Sequence, residues 1–207
     1  MTKQEIIVIG AGGHGKVVVD CVEQESKYQI IAVADDVFEN RKLFSFEVVQ
    51  KDNLTFYEGK QVVIAIGDCQ TRKKVANTLK AEFVTTIHPA AIVSKHAAIG
   101  VGTQIFAAAI VNPGASVGNH VILNTGAIVE HDCIVGDFVH LSPNSCIGGG
   151  VSVGSCTHIG IGASVIQGVS IGSNVIIGAG AVVTTDIPDN CTAVGIPAKP
   201  IKFHNSN

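Results

Sequence analysis

The chain has 207 residues, 46% hydrophobic and only 5% aromatic, with a formal net charge of -3 and a pI near 6.2. That length allows one or two domains with a sizeable core, the acidic balance argues against nucleic acid as the main partner, and no apolar run is long enough to span a membrane. The six cysteines contain no C-x-x-C pair and the N-terminus does not read as a signal peptide, so reduced thiols in a cytoplasmic protein are expected, with no metal site.

Ile6 to Ile9 form a short apolar run that ends in Gly10-Ala11-Gly12-Gly13-His14-Gly15, and Lys16 to Gln24 follows with helical character. This is strand, glycine loop and helix, the context in which G-x-G-x-x-G binds phosphate at a helix N-terminus. The next strand, Ile30 to Ala34, ends in Asp35-Asp36, where an acidic residue meets a ribose or base in a doubly wound unit. Residues 38–60 read as a loop with one weak strand around Phe46 to Val49. A strand from Val62 to Ile66 leads through Gly67-Asp68 to a helix from Thr71 to Leu79, and Val84 to Ile87 reads as a last short strand. About 85 residues hold one mononucleotide-binding half rather than the two halves of a dinucleotide fold, which favours a nucleotide-sugar over NAD.

From Ile87 to Val183 an aliphatic residue falls at every sixth position, through Val93, Ile99, Ile105, Val111 and on without a slip. Two residues before each of them, from Val111 onward, sits a small or β-branched residue such as Ala109, Ala127, Cys133 or Thr157. Residues two apart in a strand face the same side, so both registers point inward. Three hexads then make one triangular coil, and coils stack about 4.8 Å apart. The glycine that often follows the aliphatic residue, as at Gly100, Gly118, Gly148 and Gly160, is expected to relieve backbone strain at the corner. The resulting fold class is an α/β N-terminal half-Rossmann domain (1–86), then a left-handed parallel β-helix of hexapeptide repeats (87–185) and a C-terminal cap and tail (186–207).

Inward positions of such a prism are core, so chemistry belongs at its corners and on its outer faces. His131 and Asp132 are adjacent at a corner, where strand alternation no longer sends neighbours to opposite sides. His140 and His158 lie one coil apart and stack on one face. His120, His88 and His204 read as ordinary surface or structural histidines. After Val183 the segment Val194-Gly195-Ile196-Pro197-Ala198-Lys199 is both a cap for the open coil and a rigid stretch that sets a lysine to meet an anion.

The hexads, the G-A-G-G-H-G unit, the corner E-H-D-C-I-V-G-D-F-V-H and the V-G-I-P-A-K ending together resemble the bacterial sugar acetyltransferases of the left-handed β-helix superfamily. Within it, the nucleotide-4-amino-sugar N-acetyltransferases and the related sialic acid O-acetyltransferases are the most similar group. The resemblance implies His131 as general base, Asp132 as its acidic partner and Gly149 as the oxyanion amide. It implies acetyl-CoA contacts at His140, Ile161, Ala179 and Lys199. It implies nucleotide-sugar contacts at Gly13, His14 and Gly15 for phosphate, at Asp35 and Asp36 for base and ribose, and at Gly67. It further implies a homotrimer with active sites between subunits, and acetylation of the 4-amino group of a UDP-linked 4-amino-4,6-dideoxy sugar. Two alternatives stay open: sialic acid O-acetylation, and a zinc enzyme of the γ-carbonic anhydrase type that recruits His131, His140 and His158, in which the glycine-loop domain has no purpose.

Overall fold

The computed structural model describes residues 3–51 and 54–204, and the chain divides into two compact units, Met1–Pro89 and Ala90–Asn207. The first contains β1 (Gln4–Ile9), α1 (Gly13–Glu25), β2 (Tyr28–Asp35), β3 (Lys42–Leu43), β4 (Phe46–Gln50), β5 (Gln61–Ile64), α2 (Cys69–Thr78), β6 (Glu82–Phe83) and β7 (Thr86–Ile87). Its sheet runs β3-β4-β2-β1-β5-β6. β1 is parallel to both β2 and β5, β2 to β4, and β5 to β6; the β3–β4 pair is antiparallel. Ile6, Ile7, Val8 and Ile9 are all fully buried, as a central parallel strand covered on both faces requires. Ile7, Ile9, Ala34, Val62 and Ile64 pack with Tyr57 and with Val75 of α2, while α1 buries Val18, Val19, Cys21 and Val22.

The chain leaves β1 for β2 on one side and later returns to β5 on the other, so β1 is the point at which the strand order reverses. Ligands of open parallel sheets bind outside the carboxyl ends of the strands at such a point. Here those ends deliver Gly10 after β1, Asp35 closing β2 and Ile66-Gly67 after β5 to one edge of the sheet. The weak strand expected around Phe46 is β4, whose register sets Gln50 opposite Asp35.

The second unit is a left-handed parallel β-helix whose two-residue strands repeat every 18 residues, as in Ile110↔Ile128 and Val111↔Val129. Face 1 stacks Gln104–Ile105, Ile122–Leu123, His140–Leu141, His158–Ile159 and Ile176–Ile177. Face 2 stacks the strands from Ile92–Val93 to Val182–Val183 through Ile128–Val129 and Cys146–Ile147. Face 3 stacks those from Ala98–Ile99 to Ser170–Ile171. From Val111 to Val183 every aliphatic residue of the six-residue count is buried, and so is the small residue two before it. Burial of each Val, Leu or Ile contributes roughly 1.5–3 kcal/mol, which makes these inner ladders the core. Cys191–Gly195 then extends face 1, and Ala198–Phe203 returns antiparallel to it.

The glycines that follow the aliphatic positions serve a different purpose from the one expected. Gly148 and Gly160 do not have left-handed φ; a Cβ on either would sit 2.5–2.7 Å from the backbone of the next coil. They allow coils to approach, whereas the turn is made three residues after each aliphatic residue. There every sixth residue from Gly102 to Gly180 has positive φ, and Ala108, His120, Asp132, Phe138, Asn144, Cys156 and Asn174 adopt it despite their side chains. That conformation costs an L-residue roughly 1–2 kcal/mol, offset by the stacking above and below. Cys21, Cys133, Cys146 and Cys191 are free thiols, and the expectation of six reduced cysteines does not hold for Cys69 and Cys156.

Candidate active site

His131 and Asp132 occupy the edge between faces 2 and 3. Asp132 has φ 60°, and this left-handed turn swings its carboxylate beside the preceding imidazole. His131 Nδ1 lies 2.9 Å from Asp132 Oδ2. An ionised carboxylate only accepts hydrogen bonds, so Nδ1 carries a proton and, in the neutral imidazole, Nε2 keeps its lone pair. Both side chains are open to solvent, 63% and 72% exposed. The hydrogen bond to Asp132, reinforced by the charges of Asp132 and Glu130, raises the pKa of His131 above 6.5.

Two glycines frame this pair, each one coil away. A Cβ on Gly149 would stand 2.5 Å from His131 Nε2, and one on Gly114 would collide with Asp132 Oδ1. The imidazole therefore lies over Gly149 and the carboxylate over Gly114, in space that any larger residue fills. Among the described residues the amides that flank Gly149 are engaged, Gly148 N donating to Val165 O and Gly150 N to His131 O, both at 2.9 Å, while the Gly149 amide donates to no backbone carbonyl. An amide beside a basic nitrogen is the arrangement an oxyanion needs. Gly114 was missed from sequence, although counting back 18 residues from Asp132 reaches it.

His140 and His158 stack on face 1 with ring centroids 4.7 Å apart and planes within 3°. Each reaches back to the previous coil: His140 Nε2 lies 3.1 Å from Asn124 Nδ2, and His158 Nε2 lies 2.6 Å from Ser142 Oγ. Ile161 and Ala179 are exposed at the edge between faces 1 and 2. Lys199 lies in the returning strand that extends face 1, opposite Val194. Within one chain these four positions form a single strip, and His131, Asp132 and Gly149 form another at the edge that face 1 does not touch. Among the described residues no three His, Cys, Asp or Glu side chains converge as a metal site would need.

In the first unit α1 starts at Gly13 behind an N-cap Gly12 that offers no side-chain cap, and no acidic residue sits in its first turn. Gly12 and Gly13 are exposed, and a Cβ on either would meet nothing within 4 Å. This leaves an uncovered helix N-terminus, which favours an anion. His14 is half-buried in that first turn and Gly15 is buried, with no room for a Cβ against Gly10 O. Asp35 fastens the loop: Oδ2 accepts from Ala11 N at 2.6 Å and Oδ1 from Val37 N at 3.0 Å. Arg41 closes the same turn, its Nη2 donating to Ala11 O at 2.5 Å. Asp36 faces a groove of ≈ 440 Å³ lined by Lys51, Thr71, Lys74, Val75, Thr78 and Leu79, and pairs with Lys51 at 2.7 Å. Gly67 lies at the open end of β5, where a Cβ would also meet nothing within 4 Å. Lys51 and Arg41 were missed from sequence, because only the pairing of β4 with β2 brings that stretch to the strand ends.

The fold is that of a hexapeptide-repeat acyltransferase preceded by an α/β domain. Residues 5–79 match the PglD N-terminal domain family. The chain is similar to PerB from Caulobacter crescentus in complex with CoA and GDP-perosamine, with 35% identity, TM-score 0.90 and coverage of 97% of this chain and 99% of that one. It is similar to the acetyltransferase domain of PglB from Neisseria gonorrhoeae in complex with acetyl coenzyme A, with 35% identity, TM-score 0.88 and coverage of 97% and 100%. A UDP-N-acetylbacillosamine N-acetyltransferase from Bacillus subtilis is 42% identical over 119 residues, a match that spans 49% of this chain and about half (51%) of that relative. The chain belongs to the PglD-like family of sugar N-acetyltransferases.

Proposed function

We propose that this protein transfers the acetyl group of acetyl-CoA to the 4-amino group of a UDP-linked 4-amino-4,6-dideoxy sugar, with His131 as general base, in cytoplasmic bacterial glycan biosynthesis. The observation that carries the reading is the His131 imidazole, held through Nδ1 by Asp132 with its free Nε2 over Gly149. The amine attacks the thioester carbon, forming the C–N bond; Nε2 accepts the proton the nitrogen must lose; the Gly149 amide donates to the oxyanion. The C–S bond then breaks and the thiolate takes up the proton, so no covalent enzyme intermediate is needed. The uncapped N-terminus of α1, with Gly13, His14 and Gly15, receives the diphosphate, while Asp36 and Asp35 flank the base and ribose and Gly67 borders the sugar side.

The separation of the two strips on the prism supports a homotrimer. His140, Ile161, Ala179 and Lys199 of one chain would bind acetyl-CoA against the His131 edge of its neighbour. The relative with UDP in its name favours UDP, whereas PerB carries a GDP sugar. The deciding experiment follows CoA thiol release with UDP-, dTDP- and GDP-linked 4-amino sugars and with sialic acid, with mass analysis of each product. The expected result is fastest release with the UDP sugar and acetylation on nitrogen. Release only with sialic acid, or with none of the sugars, would overturn the proposal.

A further inference from the structure

Arg72 is the largest fully buried side chain among the described residues, at 0% exposure. Cations of this kind are almost never fully buried unless paired. It also lies in the first turn of α2, where the helix dipole disfavours positive charge. Burial pulls its pKa down to about 10 against the favourable field of Asp68. The guanidinium curls back to the start of its own helix, where Nη1 donates to Ile66 O at 2.9 Å and to Gly67 O at 2.7 Å. The carboxylate of Asp68 is held by Thr71, through N at 2.8 Å and Oγ1 at 2.7 Å. Side chains of α2 thus fix three consecutive residues, 66 to 68, from behind.

The direction of those bonds matters. In a trans peptide the C=O and the N–H of one unit point opposite ways. With the carbonyls of Ile66 and Gly67 turned to Arg72, the amides of Gly67 and Asp68 are turned away from it. The segment also has open space beside it, since a Cβ on Gly67 would meet nothing within 4 Å. Ile66 itself lines a small recess with Gly10, Asp35, Asp36, Lys51 and Thr71 at the carboxyl ends of β1 and β2.

We infer that Arg72 is a positioning residue for the nucleoside diphosphate, holding the loop after β5 so that the amides of Gly67 and Asp68 face the ligand. It touches no ligand itself, and the inference rests on the nucleotide-sugar reading given above. Both bonds come from Nη1, so methionine at this position supplies no donor, and lysine supplies donors without the planar geometry of the guanidinium.

The test measures binding of UDP and of acetyl-CoA to the full-length wild type, Arg72→Met and Arg72→Lys by calorimetry, with amide hydrogen exchange on the loop. In Arg72→Met, UDP affinity falls roughly ten-fold or more, the scale expected for misplaced binding groups, while acetyl-CoA affinity is unchanged. Exchange at Gly67 and Asp68 accelerates, and Arg72→Lys recovers part of both effects. A purely structural role would lower the melting temperature and leave UDP affinity intact below it; that result overturns the inference. Should Arg72→Met not fold, Arg72→Lys decides, and wild-type UDP affinity with unchanged loop exchange in that variant is equally fatal. A wild type that binds none of UDP, dTDP or GDP brings down the nucleotide reading and this inference together, whereas binding that ignores position 72 removes the inference alone.

Discussion

The two units set their functional groups in place by different means. In the prism a side chain's surroundings follow from counting: 18 residues forward of His131 is Gly149, and 18 back from Asp132 is Gly114. In the α/β unit they follow from strand order, so Asp36 meets Lys51, and Asp35 meets the Ala11 amide, through pairings that no local spacing reveals. A repeat therefore places rigid chemical groups cheaply along an edge, and a switch point gathers backbone amides and polar side chains from distant segments around a ligand. On this account the prism governs turnover and the α/β unit governs capture of the sugar nucleotide.

The sharpest way to break that division is His131→Ala. Turnover falls by at least about 10²-fold, the usual scale for losing a general base, with acetyl-CoA affinity unchanged in equilibrium binding. A fall in substrate affinity with full turnover would assign the prism edge to binding instead.

A smaller effect separates the members of the edge. In the proposed role of base His131 must be neutral, and its pKa is raised by Asp132, so activity is expected to be lost as pH falls through a value above 6.5. Asp132→Asn moves this acidic limb to lower pH and lowers the plateau. Gly114→Ala moves it the same way by less, because the added Cβ displaces the carboxylate without removing it. Ala108 already sits at an equivalent left-handed corner with φ 58°, so the backbone accepts alanine there. Profiles of kcat/KM against pH that superimpose with the wild type would show that Asp132 does not tune the base.

The smallest effect is expected in the α/β unit. Asp36→Ala removes an exposed ion pair with Lys51, the kind of contact worth about 0.2–1 kcal/mol. KM for the nucleotide-sugar rises a few-fold and kcat holds, the signature of lost uniform binding. A drop in kcat alone would contradict the assignment.

The same contrast explains what the sequence made legible. The inner ladders were readable because the six-residue period survives every substitution of Val, Ile or Leu, and the His131–Asp132 pair because two adjacent polar residues at a corner cannot both turn inward. The true turning position was not, since Gly, Ala, His, Asp, Phe, Asn and Cys all occupy it and no composition marks it. The more conspicuous glycines one residue after the aliphatic position drew the explanation that belonged two residues on. In the α/β unit the glycine loop was readable from its spacing, but the anchoring of that loop by Asp35 and Arg41 depends on side chains reaching across 24 and 30 residues. A buried arginine has no sequence signature at all: Cys-Gln-Thr-Arg-Lys-Lys reads as a solvated first turn.

Central to the account is that the base edge and the acetyl-CoA strip, separate on one prism, meet between two chains. Coexpression of His131→Ala with Ala179→Trp chains, the second blocking an exposed position of the strip, tests this directly. Each variant alone is inactive. At equal expression about three quarters of the trimers are mixed, and in each of these about one site in three joins an intact edge to an intact strip, so about a quarter of all sites are active and CoA release returns to about that fraction of the wild-type rate. Mixed assemblies no more active than either parent would place the whole site within one chain and contradict the account.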